Sequence, residues 1–564
     1  MGLLRCSRAF RHAIACLALA ALTLGAFSNA LRAGFVSFDD WMLIEENARI
    51  RSLSLGSLAE MFASKEPQSH AWLPLRELSY ALDYRLWGLL PTGYHLTNVL
   101  LHAANAMLAY AVLVWLFGSA ECGVRSAGGL AWLGAAIFAV HPAQVESVAW
   151  ASGRRDVLYA FFFLLAFLAF VAHERRAGWQ RWTFYGLSLA CLAASLLSKS
   201  SAMALPAVLG LAILAFGEGG RRLWERLAAT LPHWAVAIVL SLVHLLVARD
   251  AGVVKGRAFS ASLANVPFIF AKYLELAFFP VHLATPYGYM TLRWSTDGAR
   301  ILLLAGGVGA VVAAAWWAAP RRSLAFFCIG WWFILLLPVA NFIPISVLVA
   351  DRYLYLPLLG ACGLAAGVAG SLAGARWRRA AMLACAAAVI GFFGLGAWGR
   401  SRAWENSRRF WQDGVSKWPN TPLVRIGLAT AYADANELEK AWEQYMMVAL
   451  SWGRAASSDP EHVSLVLRGV AVFYDRFARD LEARGRHQAA LEVYESVVRL
   501  AQEEKKSDPW ARLAQAYERR GLWAKAREAA MWVQKLDPDY PGLAEWLSRL
   551  AARQAELPGD GPRE

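Results

Sequence analysis

Asp39 and Asp40, adjacent in the run Phe38-Asp39-Asp40-Trp41, stand a few residues beyond the first apolar segment, where a chain leaves a bilayer. An ionisable pair is costly to desolvate at a membrane surface, so it points to a task, either proton removal or metal binding. A local role competes with that one: Asp ahead of an apolar, Glu-containing turn caps a helix by accepting from its free amides. Other clusters recur between apolar segments: His141-Pro142 with Glu146, Arg154-Arg155-Asp156, Lys199 among serines, Lys255 to Arg257, and Asp351-Arg352-Tyr353. Arg352 opens an apolar segment at headgroup depth, and its planar fork suits a phosphate. Lys199 reads equally as a lysine reaching for the interface. His141 reads equally as a core histidine before a helix-stopping proline, and Arg154 to Asp156 as an internal ion-pair cluster at a helix start. Two carboxylates near His141 and Glu146 would suit a divalent cation, but no ligand spacing supports one, and no metal or other cofactor is expected.

The elements that must position these residues are membrane spans. With 58% apolar and 17% charged residues over 564 positions, and a mean hydropathy of +0.38, the chain is expected to be a multi-pass membrane protein. Its net charge of +14 does not indicate nucleic acid, because the arginines sit in short groups between apolar segments. Five of the seven cysteines lie within apolar stretches and no Cys-x-x-Cys pair occurs, so no disulfide framework is expected.

Stretches of membrane-spanning length fall at 11–31, 95–117, 128–141, 156–173, 182–198, 201–217, 230–249, 300–319, 323–340, 353–373 and 378–398, giving about eleven spans. Arg5, Arg8 and Arg11; Arg125; Arg175, Arg176 and Arg181; Arg221, Arg222 and Arg226; Arg321 and Arg322; and Arg376, Arg378 and Arg379 share one side if 262–280 does not cross. The positive-inside rule then places the amino terminus in the cytoplasm and everything after 398 outside it. The first segment also resembles a cleavable signal peptide, ending in Ser28-Asn29-Ala30; retention is the expectation. All the chemistry-bearing clusters end on the outer side, where Arg154, Arg155 and Arg352 run against the positive-inside bias. An anionic ligand would explain them.

Beyond residue 400 the composition turns charged and amphipathic. Trp510, Leu513, Ala514, Tyr517, Ala526 and Pro538 fit a tetratricopeptide template, Leu428, Ala429, Tyr432, Ala441 and Tyr445 mark an earlier copy, and Phe477, Ala478, Ala490 and Tyr494 a third. The fold expected is therefore all-α: a polytopic membrane helix bundle over 1–398, with a first outer loop at about 32–94, a linker at 399–419, repeats forming an α-solenoid at 420–550, and a disordered tail at 551–564.

Phe38-Asp39-Asp40, Trp72-Leu73-Pro74-Leu75-Arg76, Tyr94-His95-Leu96-Thr97-Asn98 through His102, His141-Pro142 with Glu146, Gly153-Arg154-Arg155-Asp156, Ser198-Lys199 and Asp351 through Pro357 together resemble the transmembrane and tetratricopeptide-repeat O-mannosyltransferases and their bacterial relatives. The resemblance implies a GT-C glycosyltransferase. Such an enzyme takes a sugar from a polyprenyl-phosphate lipid and transfers it, with inversion, on the extracytoplasmic face. Asp39 or Asp40 would be the base, Arg352 with Lys199 would hold the lipid phosphate, and His141, Glu146, Arg154, Arg155, Asp156, Asp351 and Tyr353 would complete the site. The acceptor would be a polypeptide or an envelope glycan, recruited by the repeat groove, and the setting a bacterial inner membrane. A membrane-anchored repeat scaffold without catalysis, and a transporter for lipid-linked sugars, are the alternatives.

Overall fold

The computed structural model describes residues 2–66, 71–120, 127–216, 222–250, 262–287, 294–318, 324–342, 347–373, 376–452, 474, 477–501 and 507–555. Lys255 to Arg257 and most of the expected tail lie outside them. The chain divides into two compact units, Met1–Asp413 and Gly414–Glu564, and no strand occurs among the described residues.

In the first unit every expected apolar segment is helical. These are α1 (Gly2–Ala26), α4 (Pro91–Ser119), α5 (Ala127–Val140), α7 (Arg154–Arg175), α8 (Gly178–Ser198), α9 (Leu205–Phe216), α11 (Leu231–Asp250), α13 (Trp294–Ala318), α14 (Leu324–Leu336), α15 (Pro357–Leu372) and α16 (Arg376–Ser401). Shorter helices fill connections between the apolar ones: α2 (Leu55–Ala63), α3 (Pro74–Trp87), α6 (Val145–Ala149) and α12 (Val266–Phe278); α10 (Leu223–Ala228) precedes α11. Proline opens α3, α4 and α15 at a position where its missing N–H would have no helical partner.

Five helical stretches among the described residues are long and apolar enough to cross a bilayer, and a sixth if α5 and the helix after His141, bent by 51°, act as one. The count is lower than the eleven segments because several of the others are short apolar helices of 10–17 residues. Helix α12, with 13 residues, is about 20 Å long and falls short of a hydrocarbon core of about 30 Å.

Polar side chains in this apolar setting satisfy one another. His102 on α4 places Nε2 2.9 Å from the Ala139 carbonyl, so Nε2 must donate and Nδ1 is left to accept from the Tyr355 hydroxyl at 2.7 Å. Asn105 donates to that hydroxyl at 3.0 Å and to the Val157 carbonyl at 2.8 Å. These four bonds tie α4, α5 and α7 to the segment that carries Arg352.

The segment after the last span, expected as a linker from 399, folds into the first unit as far as Asp413. Its aromatic rings are too large to leave in water when an apolar surface is within reach. Trp404 stacks on Trp150 at 5.6 Å, and Phe410 and Trp411 close on Phe38 at 5.3 and 5.8 Å. Backbone and hydroxyl bonds lock the same contact: Gly34 N donates to the Glu405 carbonyl at 2.9 Å, and Ser37 N to Ser407 Oγ at 2.8 Å.

The second unit is built from helix pairs. Pro422–Asp434 with Leu438–Trp452, 477–483 with His487–Ala501, and Asp508–Arg519 with Trp523–Leu536 each meet at one kind of turn. Asn436, Gly485 and Gly521 take positive φ of 58°, 73° and 70°. The next amide reaches back five residues in each case: Glu437 to Tyr432, Arg486 to Leu481 and Leu522 to Tyr517. This left-handed closure satisfies a helix-end carbonyl and reverses the chain, and glycine or asparagine tolerates it best. Ala429, Ala441, Ala478, Ala490, Ala514 and Ala526 are buried where paired helices approach, with Tyr445, Phe477, Tyr494 and Trp510 filling the space between.

Candidate functional site

The loop leaving α1 separates the two aspartates. Asp40 is fully buried and its carboxylate is fully engaged: Oδ1 accepts from Ser152 N at 2.9 Å and from Ser152 Oγ at 2.5 Å, and Oδ2 from Val36 N at 2.9 Å. Asp39 is half-buried, and its carboxylate has no side-chain partner among the described residues. Asp40 thus clamps the loop to the start of α7, and Asp39 is left available. Phe38, one residue earlier, lies against Trp150 at 5.3 Å.

Burial pushes the Asp40 carboxyl up to about 7, against the pull of its three hydrogen bonds. Glu77 rises to about 7 for the same reason, opposed by Arg49, 3.2 Å away. The folded protein therefore holds these protons more tightly than the unfolded chain does. Their contribution to stability is whole at acid pH and is lost as pH rises from the ordinary 3.8 of Asp40 through about 7, by about 1.4 kcal/mol per pH unit at most for each group. Melting of the purified protein is expected at higher temperature at pH 5 than at pH 8, with a smaller difference in Asp40→Asn.

Gly153 lets α7 begin close against the preceding turn, since a Cβ there would sit 2.7 Å from the Ser147 carbonyl oxygen. Arg154 then points inward and is spent on internal bonds: to Asp83 Oδ2 and Asn98 Oδ1, both at 2.5 Å, and to the Tyr94 carbonyl at 2.9 Å. It holds α3 and α4 against α7. His141 is likewise structural, because Nδ1 accepts from Ala143 N at 3.2 Å and Nε2 donates to the Ala277 carbonyl at 3.0 Å.

The other expected residues converge. Glu146 on α6 pairs with the Arg352 guanidinium and accepts from Arg352 N at 2.8 Å. Asp156 pairs with Lys199 and lies 3.7 Å from Arg155 Nε. Burial lowers the pKa of the Lys199 ammonium, with Asp156 opposing. The Tyr353 ring lies 5.3 Å from Lys199 and 5.2 Å from Arg352, joining the two pairs. Asp351 accepts from the Tyr287 hydroxyl at 2.5 Å, which anchors the turn carrying Arg352. Trp150 is the common neighbour, with Arg155 at 5.9 Å, Arg352 at 5.8 Å and Phe38 on the same ring. The loop bearing the free aspartate and the guanidinium at 352 thus meet around one indole.

Trp150 and Ser152 escaped the sequence reading, and Arg76 entered it only as part of the string Trp72 to Arg76, with no role in the site. Arg76 is 1% exposed, and its Nε and Nη2 have no hydrogen-bond partner among the described residues, although Glu66 and Glu77 act on it electrostatically and Arg155 repels it. A buried guanidinium with idle donors is expensive and suits an anion. The signal available was the one that marked Arg154 and Arg155, an arginine in a connection between apolar segments. Glu146, Asp156 and Asp351 stand among Arg155, Lys199 and Arg352, and Arg76 faces Glu66 and Glu77, so cations and carboxylates alternate through the cluster. Among the described residues no three His, Cys, Asp or Glu side chains gather as a metal site.

Fold and site define a multi-pass, all-α membrane protein with an ion-paired centre beside a half-buried carboxylate. In sequence, the chain is similar to Protein O-mannosyl-transferase Tmtc1 of Drosophila melanogaster, 35% identical over 191 residues that make up 32% of this chain and 21% of that protein. It is 31% identical to Protein O-mannosyl-transferase Tmtc2 of the same organism over 302 residues, 50% of this chain and 30% of that one. With Protein O-mannosyl-transferase TMTC4 of Mus musculus it shares 34% identity over 169 residues, 28% and 23% of the two chains. The matches span less than a third of the length of these relatives. No family model matches the chain. Among solved structures, ArnT from Cupriavidus metallidurans bound to undecaprenyl phosphate aligns over 86% of this chain and 79% of that one at 17% identity, with a TM-score of 0.35, too low to argue from.

Proposed function

We propose that the chain is a GT-C-type membrane glycosyltransferase. It moves mannose or a related hexose from a polyprenyl-phosphate donor to a hydroxyl acceptor, a protein Ser or Thr or an envelope glycan, on the extracytoplasmic face. One observation carries the reading: of two adjacent aspartates one is locked and the other has no side-chain partner among the described residues, on a loop that shares Trp150 with Arg155 and Arg352.

The chemistry follows from those groups. A hydroxyl is a weak nucleophile, and Asp39 would accept its proton as the oxygen attacks the anomeric carbon. The bond from that carbon to the phosphate oxygen breaks on the opposite side, which inverts the centre. The polyprenyl phosphate departs with an added negative charge, and Arg155, Arg352, Lys199 and Arg76 would stabilise that charge more in the transition state than in the intact donor. Glu146 and Asp156 hold two of these cations in place, and Asp351 and Tyr353 orient the turn that presents Arg352. The sequence similarity to proteins named O-mannosyl-transferases supports mannose and a polypeptide hydroxyl first. The repeat unit would raise the local concentration of acceptor at the membrane.

The test is direct. Purified protein in detergent, given labelled polyprenyl-phosphate mannose and a Ser/Thr-rich peptide, is expected to move label to the peptide in an alkali-labile linkage. Failure to consume any of a panel of polyprenyl-phosphate hexoses, in protein that melts cooperatively, would leave the non-catalytic scaffold as the better reading.

A further inference from the structure

The helices that begin at the charged cluster end around a second site. Asn98 lies near the start of α4, Arg154 opens α7, and Lys199 lies just ahead of α9; the far ends of the same helices, at Ser119, Arg175 and Phe216, line a cavity of about 370 Å³. That volume is within the range of small-molecule sites, about 300–1,000 Å³. One wall is apolar, formed by Trp115, Phe170, Ile213 and Phe216, with Trp115 and Phe216 edge to face at 5.5 Å.

The rim is charged. Arg226 Nε donates to Glu174 Oε2 at 2.6 Å, which fixes that guanidinium, and exposed Arg175 donates to Ser119 Oγ at 2.8 Å. Among the described lining residues two guanidiniums stand against the one carboxylate of Glu174, which gives that part of the rim a positive sign. Trp182 and Trp224 on neighbouring helices are 63% and 62% exposed, as indoles are at headgroup depth. An apolar slot with a cationic rim at that depth complements an acyl chain under a phosphodiester, and its opening lies at the opposite ends of the helices from Asp39 and Arg352.

We propose that this cavity seats a phospholipid of the leaflet opposite the Asp39 side. An acyl chain lies along Trp115, Phe170 and Ile213, and the phosphodiester is held by Arg175 beside the fixed Arg226. The site does not touch the groups assigned to transfer, so it stands or falls independently of them.

Titration of the full chain in detergent with palmitoyl-oleoyl phosphatidylglycerol, read by native mass spectrometry, should reveal one tight lipid. Gly118→Leu, at a lining position where a Cβ meets nothing within 4 Å, should fill the cavity and abolish that lipid. Ile213→Trp does the same from the other wall and guards against a folding defect in either variant. Arg175→Ala should weaken the site about tenfold, as expected for loss of a hydrogen bond to a charged group. Equal occupancy in Gly118→Leu and Ile213→Trp, with both melting like the parent, would overturn the proposal. So would equal binding of dioleoylglycerol, which lacks the phosphate, or displacement by glycerol phosphate alone. A change of melting temperature in Arg175→Ala without a change in lipid affinity would reassign that arginine to the helix end.

Discussion

Asp39→Asn is expected to cut sugar transfer by about 10² to 10⁴ in kcat while leaving the melting temperature within a degree or two of the parent. The half-buried carboxylate has no side-chain partner among the described residues, so its amide loses a base and no structural bond. Asp40→Asn is expected to behave in the opposite sense. Asp40 accepts from three donors, and an amide offers a single oxygen, so its NH₂ must oppose either Val36 N or the Ser152 pair. That mismatch costs about 1–3 kcal/mol and lowers yield and melting temperature together. Transfer assays and thermal melts on the two purified variants separate the cases. Full transfer in Asp39→Asn, or a stable but inactive Asp40→Asn, would move the base from residue 39 to residue 40 or elsewhere.

The Glu146–Arg352 pair should give the second large effect. Both side chains are buried, so removing either leaves an uncompensated charge, which typically costs about 3–5 kcal/mol. Arg352→Gln and Glu146→Gln singly are therefore expected to lose stability as well as transfer. The double variant removes both charges, and should regain part of the stability, less what the shorter glutamine at 352 loses in packing. It should remain inactive by about 10² to 10³, because the departing phosphate has lost a preorganised cation. Recovery of transfer along with stability would show that the pair is only scaffolding. A measured affinity for polyprenyl-phosphate mannose, compared between parent and double variant, tells whether the cation also acts on the intact donor.

The eleven apolar segments were readable because a helix of that composition has few ways to bury its surface, and the repeat positions because alanine and tyrosine recur with the period of a helix pair. The clusters around 39, 146, 154, 199 and 352 were readable as types out of place: charges gathered in connections between apolar segments. What they do to one another was not. Asp40 meets Ser152, 112 residues away, and Trp150 meets Trp404, and neither pairing leaves a local pattern. Asp39 and Asp40 are chemically alike and adjacent, and only the fold tells them apart. Arg154 and His141 carried the right residue types for a site, yet their donors are consumed by Asp83, Asn98 and two backbone carbonyls.

The aromatic clasp of Trp404 on Trp150 and of Phe410 and Trp411 on Phe38 bears on how the molecule can be cut. A shortened chain ending at 398, where hydropathy alone would stop it, strips these rings from the loop of Asp39 and leaves Trp150 bare on one face. A chain ended beyond Asp413 keeps the clasp closed. Loss of activity in the first and not the second would belong to a missing buttress, with no bearing on what the repeats recruit.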